Sequence, residues 1–226
     1  LSLIVISTFI VIYLFPEVSL QHFKISFLKT NYELKYSILF LVLAFALLSN
    51  SMNMFDGINL QLLLFTIFVF ILFIFKGFFS LFFILLIICL SFLSVLNYKD
   101  KVYLGDGGAY LISSIIGCTF IYQYNNFSNS FFGDEVFIIL IIPAIDMLRL
   151  FIVRILNKTH PFKGDLNHFH HIIYSHTNNN KITVLLTIVI SILPTIFLFL
   201  GIKTYYILLI TLIFYVGIIK LIVNKT

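Results

Sequence analysis

Three polar side chains recur at helical spacing in an otherwise apolar stretch of the chain. Asn50, Asn53 and Asp56 are each three residues apart, which places them on one face of a helix end. Amides and a carboxylate on one face suit sugar hydroxyls, phosphate or a hydrated metal ion. A solvated helix terminus is the alternative, but ionisable side chains within membrane segments more often mark functional sites.

A second candidate is a carboxylate surrounded by glycines. Asp106 is flanked by Gly105, Gly107 and Gly108 where a new apolar run begins. Glycines allow close backbone approach to a ligand, and a helix N-terminus offers free N–H groups to phosphate. Capping of the helix is the alternative explanation. An Asp beside a phosphate site commonly holds Mg²⁺, so Asp106 is the leading candidate for a metal ligand.

A third group lies inside an apolar helix that follows Pro143. Asp146 and Arg149 are three residues apart there, and a carboxylate in such a setting is costly unless it is paired. An ion pair that stabilises the helix end and a direct catalytic role explain this pattern equally well. The sequence leaves both open.

Four histidines fall in one polar loop, between His160 and His171. Their spacing lacks cysteine and does not match the usual zinc patterns, so zinc is disfavoured. Together with Lys163 and Asn167, the imidazoles are suited to binding phosphate oxygens or a leaving group. A solvated basic loop is the alternative.

The composition determines which elements must position these groups. Hydrophobic residues make up 61% of the 226 residues and charged residues 10%, which excludes a soluble globular enzyme, a disordered tail and a nucleic-acid-binding module. We therefore predict an all-α, polytopic membrane bundle. About eight spans are expected, over residues 1–16, 36–55, 57–75, 77–98, 107–133, 136–145 (continuing past Asp146), 182–202 and 204–219.

Alternation of these spans places the polar candidates on one side of the membrane. That side receives Asp56, Asp106, Asp165 and five of the six histidines. It also receives nine lysines and arginines, against five on the other side. The positive-inside rule makes it cytoplasmic.

The order of the motifs resembles a known family. N-x-x-N-x-x-D-G, L-G-D-x-G, P-x-x-D and H-P-F-x-x-D-x-x-H-x-H-H follow one another from Asn50 to His171. This order is similar to that of the polyprenyl-phosphate N-acetylhexosamine-1-phosphate transferases, which belong to glycosyltransferase family 4. The similarity is greatest to the bacterial undecaprenyl-phosphate N-acetylglucosamine-1-phosphate transferases.

The resemblance implies a multi-pass enzyme of the bacterial inner membrane with its active site facing the cytoplasm. It would transfer a sugar 1-phosphate, expected to be N-acetylglucosamine 1-phosphate, from a UDP-sugar to undecaprenyl phosphate. UMP would be released, Mg²⁺ or Mn²⁺ would be the cofactor, and the product would start a cell-envelope polysaccharide. The implied roles are catalytic for Asp56, Asp106, His168, His170 and His171, metal-binding for Asp106, and substrate-binding for Asn50, Asn53, Asn59, Lys163 and Asp165.

We expect one transmembrane domain over residues 1–226, with a cytoplasmic loop over residues 157–181. The family's Asp-Asp pair precedes the position of Leu1, so we expect an N-terminally truncated fragment. Asn59 stands where many members have Asp, and Leu166 where many have Arg. The alternatives are an inactive truncated homologue and a polytopic transporter. The expected partners are the UDP-sugar, the lipid phosphate and membrane lipid, without nucleic acid, and a homodimer is compatible with the sequence.

Overall fold

A computed structural model shows a helical bundle with one short β-hairpin. The structure describes residues 6, 9–11, 13–15, 19–20, 22–28, 31–34, 36–78, 81–127, 130–160 and 167–223. The hairpin strands are β1, His22–Lys24, and β2, Asn31–Glu33. The helices are α1 Ser37–Phe55, α2 Gln61–Phe75, α3 Leu81–Tyr98, α4 Gly105–Asn126, α5 Gly133–Ile139, α6 Ile141–Leu156, α7 Phe169–Thr177, α8 Asn180–Phe199 and α9 Thr204–Val223.

The all-α, polytopic architecture is confirmed, but the expected number of spans is not. Among the described residues, α1, α3, α8 and α9 are the four helices long and apolar enough to cross a membrane, and the pair α5–α6 makes up to five. Helix α2 is apolar but has only 15 residues. Helix α4 has 22 residues, yet polar side chains interrupt it. The first predicted span, residues 1–16, lies only partly within the described residues.

The expected continuous helix from residue 136 past Asp146 is wrong. Helices α5 and α6 meet at Leu140 with a bend of 78°. Pro143 lies in the first turn of α6, where its missing N–H is tolerated. In a straight helix, the proline ring would clash with the carbonyl group of Ile139, so the break before Pro143 relieves that conflict.

Helices α1 and α4 pack closely against each other. Gly117 of α4 lies against α1, and a Cβ atom there would come within 2.7 Å of the Phe45 ring. One turn earlier, Ser113 donates a hydrogen bond from its hydroxyl to that of Ser49 over 3.0 Å. Small residues allow membrane helices to approach in this way. The contact fixes the start of α4 relative to the end of α1.

The hairpin is attached to the bundle through Asp134, at the start of α5. Its carboxylate accepts hydrogen bonds from Ser26, at 2.9 Å from the backbone N and 2.5 Å from the hydroxyl. The hydroxyl groups of Ser26 and Thr204, at the start of α9, are 3.1 Å apart. The sequence did not predict this hairpin.

The expected loop over residues 157–181 is partly helical. Helix α7 occupies Phe169–Thr177, and α8 already begins at Asn180. The segment expected to be a loop thus contains a helix, and residues 161–166 of it lie outside the described residues. Two residues separate the helices: Asn178, which is in the αL conformation, and Asn179, whose side chain caps the start of α8.

Candidate active site

The polar stripe of α1 lies where the sequence placed it. Asn50 and Asn53 lie in the last two turns, and Asp56 caps the helix, with its backbone N–H directed at the carbonyl oxygens of Met52 and Asn53. The side chains of all three predicted residues are partly buried. Asn50 donates from Nδ2 to the sulfur of Met54 over 3.4 Å. The stripe is thus only partly accessible to solvent.

Asp106 lies near Asp56, although the two residues belong to different helices. Asp106 is exposed in the first turn of α4. Burial raises the pKa of the Asp56 carboxyl to about 7, and the negative charge of Asp106 adds to this increase. Two neighbouring carboxylates of this kind can bind one cation. The structure therefore brings together the two carboxylates expected to be catalytic.

Gly57 brings the histidines to the same place. A Cβ atom built on Gly57 would lie 2.0 Å from Nε2 and 2.1 Å from Cε1 of His170. The imidazole therefore occupies the space beside the backbone next to Asp56. His170 is only 1% exposed, so α7 holds it firmly in this position.

The three histidines form one cluster of rings. His168 and His170 stack at 5.4 Å between centroids, with an interplanar angle of 13°, and His170 lies 4.3 Å from His171. Burial and, to a smaller extent, the neighbouring imidazoles together lower the pKa of His170 to about 3. His170 is therefore neutral at physiological pH. Among the described residues, its Nε2 atom has no hydrogen-bond partner.

The ion pair between Asp146 and Arg149, one of the two explanations that the sequence left open, is present. Nη2 of Arg149 lies 2.7 Å from Oδ1 of Asp146. This pairing satisfies the buried carboxylate and accounts for its presence in an apolar helix. It does not touch Asp56 or Asp106 through any described contact, so it lies behind the histidines rather than among the carboxylates.

The remaining predicted residues divide into two groups. Asn59 donates from Nδ2 to the carboxylate of Asp100 over 2.6 Å, so its amide has a partner within the protein. Lys163 and Asp165 lie outside the described residues.

Sequence reasoning overlooked Asn97, which joins the end of α3 to the link between α1 and α2. Its Oδ1 atom accepts a hydrogen bond from the N–H of Leu60 over 2.6 Å.

The donor set for a metal ion is small. Within the part of the chain that the structure describes, no group of three or more His, Cys, Asp or Glu side chains is arranged to hold a metal. Mg²⁺ does not need such a cage, because it usually binds one or two carboxylates together with substrate phosphates and waters. The neighbouring carboxylates of Asp56 and Asp106 fit this requirement, and a cation there would offset their mutual repulsion.

Comparison with known proteins identifies the family. Residues 1–124 match the sequence profile described as glycosyl transferase family 4. The chain belongs to this family. Membership supports a polyprenyl-phosphate sugar-1-phosphate transferase in general, and a multi-pass membrane protein. No curated protein and no solved structure matches the chain.

The family match and the structure complement each other. The matched residues include Asn50, Asp56 and Asp106 but end before Asp146 and the histidines. The contact between His170 and Gly57 connects the later segment to the matched one. The two parts of the chain therefore contribute to one site.

Proposed function

We propose that this protein transfers N-acetylglucosamine 1-phosphate from its UDP derivative to undecaprenyl phosphate. The reaction would release UMP and start the synthesis of a cell-envelope polysaccharide. The observation that carries this proposal is the approach of Asp56 and Asp106 beside the buried His170, in a member of glycosyl transferase family 4. We place this site on the cytoplasmic side of a bacterial inner membrane, on the basis of the charge bias in the sequence.

The chemistry is a displacement at phosphorus. An oxygen of the lipid phosphate attacks the β-phosphorus of the UDP-sugar and forms a new P–O bond. The bond from the bridging oxygen to that phosphorus breaks, and UMP leaves with the electron pair. No redox step or covalent protein intermediate is required, so positioning and charge neutralisation account for most of the catalysis.

The carboxylates of Asp56 and Asp106 would hold the cofactor, Mg²⁺ or Mn²⁺. When bound, such an ion supplies charge neutralisation for the phosphate oxygens. Asn50 and Asn53 extend from the same helix end and offer amides to the nucleotide sugar. The remaining roles follow from the resemblance alone, with Asn59, Lys163 and Asp165 contributing to substrate binding.

The neutral imidazole of His170 suits a phosphoryl-transfer site. Its unpartnered Nε2 atom lies beside the backbone that follows Asp56, and its ring is shielded from solvent. His168 and His171 surround it and provide further nitrogen atoms. We assign these three side chains to the phosphate groups of the substrates, where imidazole N–H groups would donate hydrogen bonds to oxygen.

An apolar cleft supports a lipid acceptor. A cavity of about 630 Å³ lies between α1, α4, the α5–α6 pair and the hairpin. Its walls extend from Leu20 and Gly133 near the hairpin to Ser51 and Met147. Ser51 is adjacent in sequence to Asn50, and Met147 to Asp146. A polyprenyl chain in this cleft would therefore place its phosphate close to the candidate active site.

The test measures UMP release by membranes that contain the whole protein. UDP-N-acetylglucosamine, undecaprenyl phosphate and Mg²⁺ are supplied, and the lipid-linked sugar is detected in parallel. We expect both products to depend on the added lipid. Asp106→Asn should reduce turnover by about 100-fold, because it removes a charged ligand.

The control for this variant is Glu33→Gln, which removes an exposed carboxylate on the hairpin. It should retain the activity of the parent. Absence of lipid-dependent UMP release would contradict the proposed function. Full activity of Asp106→Asn would contradict the metal assignment.

A further inference from the structure

We propose that Asp146 is a positioning residue, which together with Arg149 and Tyr215 holds the start of α7 so that the histidines face the site. The inference rests on the proposed function for its catalytic consequence. Its structural part stands on contacts that do not depend on the substrate.

Asp146 binds the first residue of α7 directly. Both of its carboxylate oxygens accept the N–H of Phe169, over 3.2 Å and 3.1 Å. The first N–H groups of a helix have no partner within the helix, and a negative charge at this end is favourable. A carboxylate supplied from α6 therefore completes the N-terminus of α7.

Arg149 holds the chain on the other side of His168. Its Nη2 atom donates to the carbonyl oxygen of Asn167 over 2.5 Å and to Asp146 over 2.7 Å. The backbone groups before and after His168 are thus both bound to one ion pair. Nδ1 of His168 lies 3.6 Å from Oδ2 of Asp146, which is too far for a hydrogen bond.

Tyr215 adds a third helix to this arrangement. Its hydroxyl donates to Oδ1 of Asp146 over 2.6 Å and accepts from Nε of Arg149 over 2.9 Å. Its ring also lies 4.9 Å from that of Phe169. Tyr215 is 2% exposed and Asp146 5% exposed, so water does not compete for these bonds. No pattern in the sequence indicated a role for Tyr215, which lies in the apolar helix α9.

The register of α7 determines where the histidines point. Successive residues of a helix are rotated by about 100°. A small rotation or shift at Phe169 would therefore move His170 away from Gly57. The network of Asp146, Arg149 and Tyr215 fixes this register without contributing a group to the reaction.

The first test is Tyr215→Phe in the whole protein, because this variant keeps the ring and removes only the hydroxyl. We expect kcat to fall about tenfold, as for the loss of one charge-assisted hydrogen bond, with the KM for UDP-N-acetylglucosamine unchanged within about twofold. Tyr206→Phe removes an exposed hydroxyl from the same helix and should change neither constant. Unchanged kcat in Tyr215→Phe would overturn the inference.

A double-mutant cycle separates positioning from general destabilisation. Since Tyr215 and Asp146 belong to one hydrogen-bond network, the combined variant Asp146→Asn/Tyr215→Phe should lose less activity than the product of the two single losses. Independent losses that multiply would overturn the inference.

Hydrogen–deuterium exchange tests the positioning role of Asp146 without any assay of the proposed reaction. In Tyr215→Phe and Asp146→Asn, the amides at the start of α7 should exchange faster than in the parent, while those in α2 keep their rates. If the parent releases no UMP, the proposed function fails, and the exchange result still decides the structural part. Unchanged exchange at the start of α7 in both variants would overturn the inference.

Discussion

The absence of a side chain at Gly57 allows the His170 imidazole to lie beside the backbone that follows Asp56. Gly57→Ala would place a methyl group 2.0 Å from Nε2 of a ring that is only 1% exposed, so the ring or the backbone must move. We expect at least a tenfold loss of turnover and a loss of stability of about 1–3 kcal/mol. UMP release and thermal unfolding in detergent measure the two effects.

The matched control for this substitution is Gly217→Ala in α9. No atom lies within 4 Å of a Cβ atom built there, so activity should be unchanged. A Gly57→Ala protein with the activity and stability of the parent would show that His170 does not require this space.

The neutrality of His170 predicts how stability depends on pH. Its pKa is lowered from 6.5 to about 3 in the folded protein. Between these values the unfolded chain binds a proton that the folded protein does not, so stability is lost as pH falls below 6.5. At a pH two units below 6.5, this difference in proton binding lowers the free energy of unfolding by about 2–3 kcal/mol.

His170→Gln removes this titrating group, so the stability of the variant should fall less on acidification than that of the parent. Melting temperatures in detergent, measured at neutral pH and at about pH 4.5, provide the test. His22→Gln changes an exposed imidazole on the hairpin and serves as the control. The prediction fails if His170→Gln and the parent lose the same stability on acidification.

At the scale of the elements, local patterns predicted some helix ends and missed others. The spacing of Asn50 and Asn53 predicted a helix that ends near Asp56, and Asp106 does lie in the first turn of α4. Helix α7 was missed because its start is completed by Asp146, 23 residues earlier in the chain. Such a distant hydrogen bond leaves no periodic signal. Pro143, by contrast, was an available signal for the bend at Leu140.

The close contact between α1 and α4 predicts sensitivity at Gly117. In Gly117→Val, a Cβ atom would lie 2.7 Å from the Phe45 ring and 3.2 Å from Leu48, so the two helices must separate. We expect a loss of about 1–3 kcal/mol in the free energy of unfolding, measured by thermal unfolding in detergent. Gly217→Val adds the same side chain where no atom lies within 4 Å. Equal stability of the two variants would argue against this contact.

At the scale of the whole molecule, composition predicted the all-helical membrane class but not the arrangement of the helices. The length of an apolar run does not distinguish a membrane-spanning helix from the short helix α2 or from the bent pair α5–α6. All three appear in the sequence as uninterrupted apolar stretches. The apolar cleft was equally invisible in the sequence. Its walls combine α1, α4, the α5–α6 pair and the hairpin, which meet only in three dimensions.

This cleft leads to a prediction about the lipid acceptor. Ala44 lines the cleft on α1, and Ala44→Phe would fill part of its volume of about 630 Å³. If the polyprenyl chain occupies the cleft, the KM for undecaprenyl phosphate should rise about tenfold, because roughly one to two kcal/mol of apolar contact is lost. The KM for UDP-N-acetylglucosamine should stay the same, since the proposed site for the nucleotide sugar lies at the helix ends, outside the cleft. Leu39→Phe enlarges an exposed side chain on the same helix, outside the cleft, and should change neither constant. An unchanged KM for the lipid in Ala44→Phe would place the acceptor chain elsewhere on the bundle.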